Sequence, residues 1–340
     1  MMKDKIQDKT LYYRLVALWV VCEAFAGGIM HGIKLPFAGM IVSGMAVTCI
    51  ILIGWYVPSR TAIIKAAVLV AIFKLMLSPY SPPTAYIAVF FQGCLGQLLL
   101  SGTRSFNAAA IALGILSLVE SAIQRLLVLV ILYGNDLLYA VNTFLQKLVG
   151  GKHHTNYSLL LGGAYILVHA AAGFFVGAFA VRMAKNAGSW RTSHASFVIG
   201  KRMEMPVQPA GRKKTSRTRA LFLIIWLLLA ALFVHARIDP KNSWVPPHLV
   251  ARLLLRSVLI LLSWYLIAAP LAMLLIKKML AVRQIKLQQP IREIVDLLPE
   301  TKYIFTQSWI LSKEEQGLKR IKVFWKILLL NILGVEKNNI

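Results

Sequence analysis

Between Leu15 and Trp55 the chain runs apolar, breaks at His31-Gly32-Ile33-Lys34-Leu35-Pro36, and runs apolar again from Phe37. Two such stretches fit a helix that crosses a bilayer, turns and comes back, because one crossing needs roughly 20 mostly apolar residues. From Leu15 to Ile33 the only acidic or basic side chains are Glu23 and His31. A carboxylate at mid-depth costs on the order of 3 kcal/mol unless it faces protein or water. Ala24, Gly28 and Gly32 recur at four-residue spacing, which lets a neighbouring helix approach closely. The first helix is therefore expected to line a polar site on one face and to pack against a partner on another.

Composition supports the membrane reading. Of 340 residues, 58% are hydrophobic and only 15% charged, whereas a soluble domain carries nearer a quarter charged residues. The net charge of +25 does not point to nucleic acid. The basic residues sit mainly between and after the apolar runs, where they mark cytoplasmic loops. Cys22, Cys49 and Cys94 lie inside apolar stretches without metal-ligand spacing and read as small packing residues. No small-residue cleavage site precedes Lys34, so no removable leader is expected.

Further apolar stretches follow at Thr61 to Leu77, Thr84 to Leu100, Asn107 to Tyr133 and Tyr157 to Val181. The proline-rich Ser78 to Pro83 cannot continue a helix. Gly134 to Lys152 reads as an amphipathic external segment. Residues 1–185 are thus expected to form an all-α bundle of roughly six membrane helices, with the N-terminus cytoplasmic. A basic cytoplasmic linker (186–219), a two-span segment (220–278) and amphipathic cytoplasmic helices (279–340) complete the expected layout. Pro290 and Pro299 suit helix starts in that last region.

Residues from roughly Tyr12 to Ala184 resemble the substrate-binding membrane subunit, or S component, of energy-coupling-factor vitamin transporters. The segments that carry the resemblance are ALWVVCEAFAGGIMHGIKLPFAG (17–39), AAVLVAIFKLMLSPYSPP (66–83) and AYIAVFFQGCLGQLLLSGTRS (85–105). The resemblance implies a bundle that captures a vitamin or similar small polar nutrient in a prokaryotic inner membrane. It also implies a first helix that contacts a transmembrane coupling subunit, here through Ala17, Ala24 and Gly28. The C-terminal part is faintly similar to the end of that coupling subunit, the T component, whose cytoplasmic helices dock on paired ATPases. At the comparable place stand Gly317, Lys319 and Arg320. No cofactor is expected in this chain; ATP enters only through partner ATPase subunits.

Glu23, Lys74, Gln92, Glu120, Gln124 and His169, with Arg125 nearby, form the candidate polar set. Carboxylates suit a cationic ring, Lys74 an anionic group and glutamines the edges of heterocycles. The competing expectation is that Glu23 pairs with Lys74, that Glu120 and Arg125 satisfy one another, and that His169 bonds a backbone carbonyl. Small residues such as Gly93, Gly96, Gly173 and Gly177 are expected to pack within the chain. Gly150-Gly151-Lys152-His153 is no phosphate loop, and no zinc pair, nucleophile elbow or magnesium-binding acidic cluster is present. Alternatives remain: a membrane enzyme acting on a lipid-linked or isoprenoid substrate with Glu23 and Glu120 as acid and base, or a scaffold recruiting a cytoplasmic partner.

Overall fold

The computed structural model describes residues 2–27, 37–57, 59–77, 83–149, 156–193, 199, 231, 234, 238, 251, 255 and 269–333. Among them no strand occurs. Helix α1 (Met2–Val20) continues into a π-helical turn, Val21–Ala26. Then follow α2 (Ala38–Tyr56), α3 (Ala62–Leu77), α4 (Pro83–Leu100) and α5 (Phe106–Tyr133). Helices α6 (Asn135–Val149), α7 (Tyr157–Ser193), α8 (Ala269–Leu311) and α9 (Gly317–Ile332) complete the order. Pro83 opens α4 at its first position, where the missing N–H costs nothing. Gly134, at φ 67°, closes α5 in a left-handed conformation that other residues resist.

Among the described residues three helical stretches are long and apolar enough to cross a membrane: Ala38–Tyr56, Phe106–Ile131 and Tyr157–Ala187. The described residues are thus all-α, with membrane-crossing capacity in α2, α5 and α7. Thr84–Leu100 is apolar but shorter.

Two compact units divide the chain, and their limits differ from the expected domains. The first comprises residues 1–126, 154–202 and 286–340; the second comprises 127–153 and 203–285. In the second, α6 exposes Tyr139, Phe144 and Leu148. The linker and two-span expectations fall mostly on residues outside those described.

In the first unit α1 packs on α2 and α3, α2 on α4 and α7, and α3 on α4. Leu15 to Trp19, Ile50 to Ile53, Phe73, Leu113 and Leu118 are buried in its core. Glycines set the closest approaches. A Cβ at Gly93 would strike Ala67, and one at Gly96 would strike Ile50. Gly114 and Gly173 bring α5 and α7 into backbone contact, with Gly177 against Ala110 and Ile111. These glycines pack within the chain, as their type suggests.

The C-terminal helices depart furthest from expectation. From Lys286 onward they belong to the first unit rather than to a separate domain. Glu293 lies 3.6 Å from Lys9, Lys302 sits 4.5 Å over the Phe25 ring, and Phe305 meets Phe25 at 6.5 Å between ring centres. From Glu293 to Phe305, α8 therefore runs in the same direction as the stretch from Lys9 in α1 to Phe25 in the π-helical turn. Helix α9 returns against α1 and α7. Phe324 stacks edge-on against Phe305 and Trp309, while Ile294, Ile304, Trp325, Leu328 and Leu329 join the core. The apolar faces of these helices, which as amphipathic cytoplasmic segments could equally have lain on the membrane surface or docked into a partner, are covered by the chain's own bundle, where burying each large apolar side chain is worth roughly 1.5–3 kcal/mol. Pro290 and Pro299 are not helix starts but lie inside α8. Each removes one backbone hydrogen bond, and the buried side chains of Ile294 and Ile304 on either side of Pro299 keep the helix on course.

Candidate functional site

The π-helical turn at the end of α1 carries Glu23. Such turns are uncommon and cluster at functional positions. The Glu23 carboxylate accepts a hydrogen bond from Lys74 at 2.6 Å, and Lys74 also donates to the Ala85 carbonyl at 3.2 Å. Both charged side chains are almost wholly buried. The two residues thus hold each other, as the competing expectation had it, and join the ends of α1 and α3 to the start of α4.

Deeper in α4, Gln92 is 1% exposed. Its amide nitrogen donates to the Ser43 hydroxyl of α2 at 3.2 Å, while its carbonyl oxygen is buried with no partner among the described residues. The neighbouring position, Gly93, brings α4 against Ala67 and the tip of the Trp19 ring. The Trp19 indole N–H is likewise buried without a partner among the described residues.

A second polar group lies on α5 and α7. Gln124 donates to the first carboxylate oxygen of Glu120, one helical turn before it, and the second oxygen is buried without a partner among the described residues. The Ser117 hydroxyl is likewise buried without a partner among the described residues. His169 shares a face with Gly173 and Gly177 by its four-residue spacing. Its Nδ1 lies 2.9 Å from the Tyr165 carbonyl, and the two rings meet at 4.3 Å. A carbonyl oxygen can only accept, so Nδ1 donates in this bond.

Each of the six expected site residues lies in the first unit, and they divide into two sets: Glu23, Lys74 and Gln92 on α1, α3 and α4; Glu120, Gln124 and His169 on α5 and α7. Sequence reasoning passed over Ser43, Ser117 and Trp19. Their signal was slight, since each is a single hydrogen-bonding group inside an otherwise apolar run.

The expected partner contacts fare unevenly. Ala17 is completely buried inside this chain and offers no surface to a separate subunit, because α2, α3 and α9 pack on α1. Ala24 is half-buried, and Gly28 lies outside the described residues. Gly317 has φ 56°, which a side chain would resist, and Lys319 beside it is exposed. Arg320 covers the Trp309 ring at 4.2 Å. Cys22 and Cys49 are buried as expected, but Cys94 is exposed, because α4 turns that face away from Ala67 and Ile50. Among the described residues no three His, Cys, Asp or Glu side chains gather as metal ligands. Comparison with family models, curated proteins and solved structures returns no match.

Proposed function

We propose that this chain is the substrate-binding membrane component of an energy-coupling-factor-type transporter for a vitamin or similar small polar nutrient, powered by a separate pair of ATPases. One observation carries the reading: the C-terminal hairpin of α8 and α9 lies along α1, with Phe25 against Phe305 and Lys9 against Glu293. The resemblance assigns the first helix to contact with a coupling element, and here the chain supplies that element itself. Buried polar atoms in α4 and α5 that lack partners among the described residues support a solute site in the same unit.

Lys319 and Arg320, near the hairpin tip, are then the contact for the ATPases. Tagged full-length protein purified from its own host should carry an ATPase pair, and Lys319→Glu with Arg320→Glu should release it while the bundle stays folded. Purified chain that turns over a lipid-linked or isoprenoid substrate, with no ATPase attached, would replace this reading with the enzyme.

A further inference from the structure

We infer that the corner of the first unit where α2 and α7 stop and α5 starts is a headgroup site for an anionic phospholipid, with Lys185 and Arg104 answering the phosphate beside the Trp55 ring. The inference goes beyond the transport reading, because this ligand is not the cargo.

Tyr56, which closes α2, donates its hydroxyl to the Ala184 carbonyl of α7 at 2.7 Å. The Trp55 ring beside it is exposed and meets Phe106, the first residue of α5, edge-on at 5.0 Å. Lys185 holds its ammonium 6.0 Å over the same ring, and Arg104 stands two residues before Phe106. A Cβ on Gly54 would strike Leu100, so the end of α4 closes the same corner. The membrane-length stretches of α2 and α7 end at Tyr56 and Ala187, and that of α5 begins at Phe106. Trp55, Arg104 and Lys185 thus all lie within two residues of such a limit. That is the depth at which tryptophan settles and headgroups begin.

The charge here has one sign. Arg60, Lys65, Arg104, Arg182 and Lys185 are all exposed, and none has an acidic partner among the described residues. No Asp or Glu occurs from Ala24 to Val119 or from Leu137 to Met203. Glu293 of α8 pairs with Lys9 of α1 at 3.6 Å. Cations gathered at a membrane limit without local anions attract acidic lipid, and a guanidinium fork matches phosphate oxygens. Deeper along α7 the same faces turn apolar. Phe175 precedes Arg182 by seven positions and Phe174 precedes Lys185 by eleven, spacings that keep to one side of a helix. The two rings are 69% and 46% exposed. A ligand that meets these rings and the cations together carries acyl chains under a negative headgroup, which a free anion does not.

The full chain, purified in neutral detergent, is unfolded thermally with dioleoylphosphatidylglycerol, dioleoylphosphatidylcholine or inorganic phosphate added, and lipid retention is read by native mass spectrometry. Phosphatidylglycerol should stay bound and raise the midpoint by several degrees, as a ligand of the folded state does. Phosphatidylcholine and inorganic phosphate should do neither. Arg104→Gln with Lys185→Gln should lose at least half of the rise. Lys313→Gln with Lys322→Gln, which removes the same charge from exposed positions of the C-terminal hairpin, should keep it. If the first pair fails to fold, Lys185→Gln alone should still lower both the rise and the retention. Equal loss in the two pairs means that overall charge draws the lipid, and overturns the site. Equal responses to the two lipids, or no response to phosphatidylglycerol, overturn the anionic class. A rise with inorganic phosphate that matches phosphatidylglycerol makes the occupant a soluble anion. An acidic protein that copurifies and blocks phosphatidylglycerol retention likewise overturns the lipid assignment. None of these outcomes touches the transport reading, which stands or falls on ATPase copurification.

Discussion

Lys74, in the last turn of α3, donates to the Glu23 carboxylate at 2.6 Å from within an almost fully buried environment. A buried pair of this kind contributes little relative to an apolar pair of the same shape, but removing one partner strands a charge. Glu23→Gln or Lys74→Met alone should therefore lower stability by about 3–5 kcal/mol. The combined Glu23→Leu, Lys74→Met protein should recover most of that loss. Equal destabilisation in the single and double variants, measured by thermal unfolding in detergent, would show that the pair is not the source of the effect.

Gly173 meets the backbone of α5 at Gly114, where no side chain can move aside. Gly173→Ala should cost about 1–3 kcal/mol through overpacking, and Gly173→Leu should prevent the two helices from closing. Gly163 has open space around its Cα, so Gly163→Leu should leave the unfolding midpoint nearly unchanged. A tolerated leucine at 173 would refute the observed crossing.

The hairpin is held to the bundle by its aromatic residues. Trp325 is 6% exposed in the shared core, and its truncation to alanine should cost about 3–5 kcal/mol. Local opening follows loss of buried contacts. Limited proteolysis between Leu311 and Gly317 should therefore run faster in Trp325→Ala than in wild type, while the alanine variant of exposed Leu318 should match wild type. An unchanged cleavage rate in Trp325→Ala would mean that the hairpin is not anchored through this side chain.

Tyr12 precedes the first apolar stretch and donates its hydroxyl to the Ala62 carbonyl at 3.3 Å. Burial, reinforced by neighbouring Tyr13, raises its pKa above the usual 10.0. A group with a raised folded-state pKa contributes stability that is complete below its unfolded pKa and drains away as pH climbs beyond it. The protein should lose stability above about pH 10, and Tyr12→Phe should flatten that alkaline decline. Identical pH profiles for the two proteins would exclude Tyr12 as its source.

Much of this architecture was legible from the residues alone. Apolar length delimits α2, α5 and α7, prolines and glycines punctuate the connections, and the small residues of α4, α5 and α7 mark where helices approach. These are local properties, fixed by the chain's chemistry over one or two helical turns. Glu120 and His169 find partners one turn away on their own helices, but on the first four helices the partners are not local: Glu23 lies 51 positions from Lys74, and Ser43 lies 49 from Gln92. The list of buried ionisable groups in the sequence does not say which neutralise one another. The same holds for the C-terminal helices, whose apolar stripes are equally compatible with a membrane surface, a partner or the chain itself. Only the tertiary structure decided for α1, because a stripe 16 residues long has no sequence label for what covers it; that choice is made by the shape of the bundle it must fit.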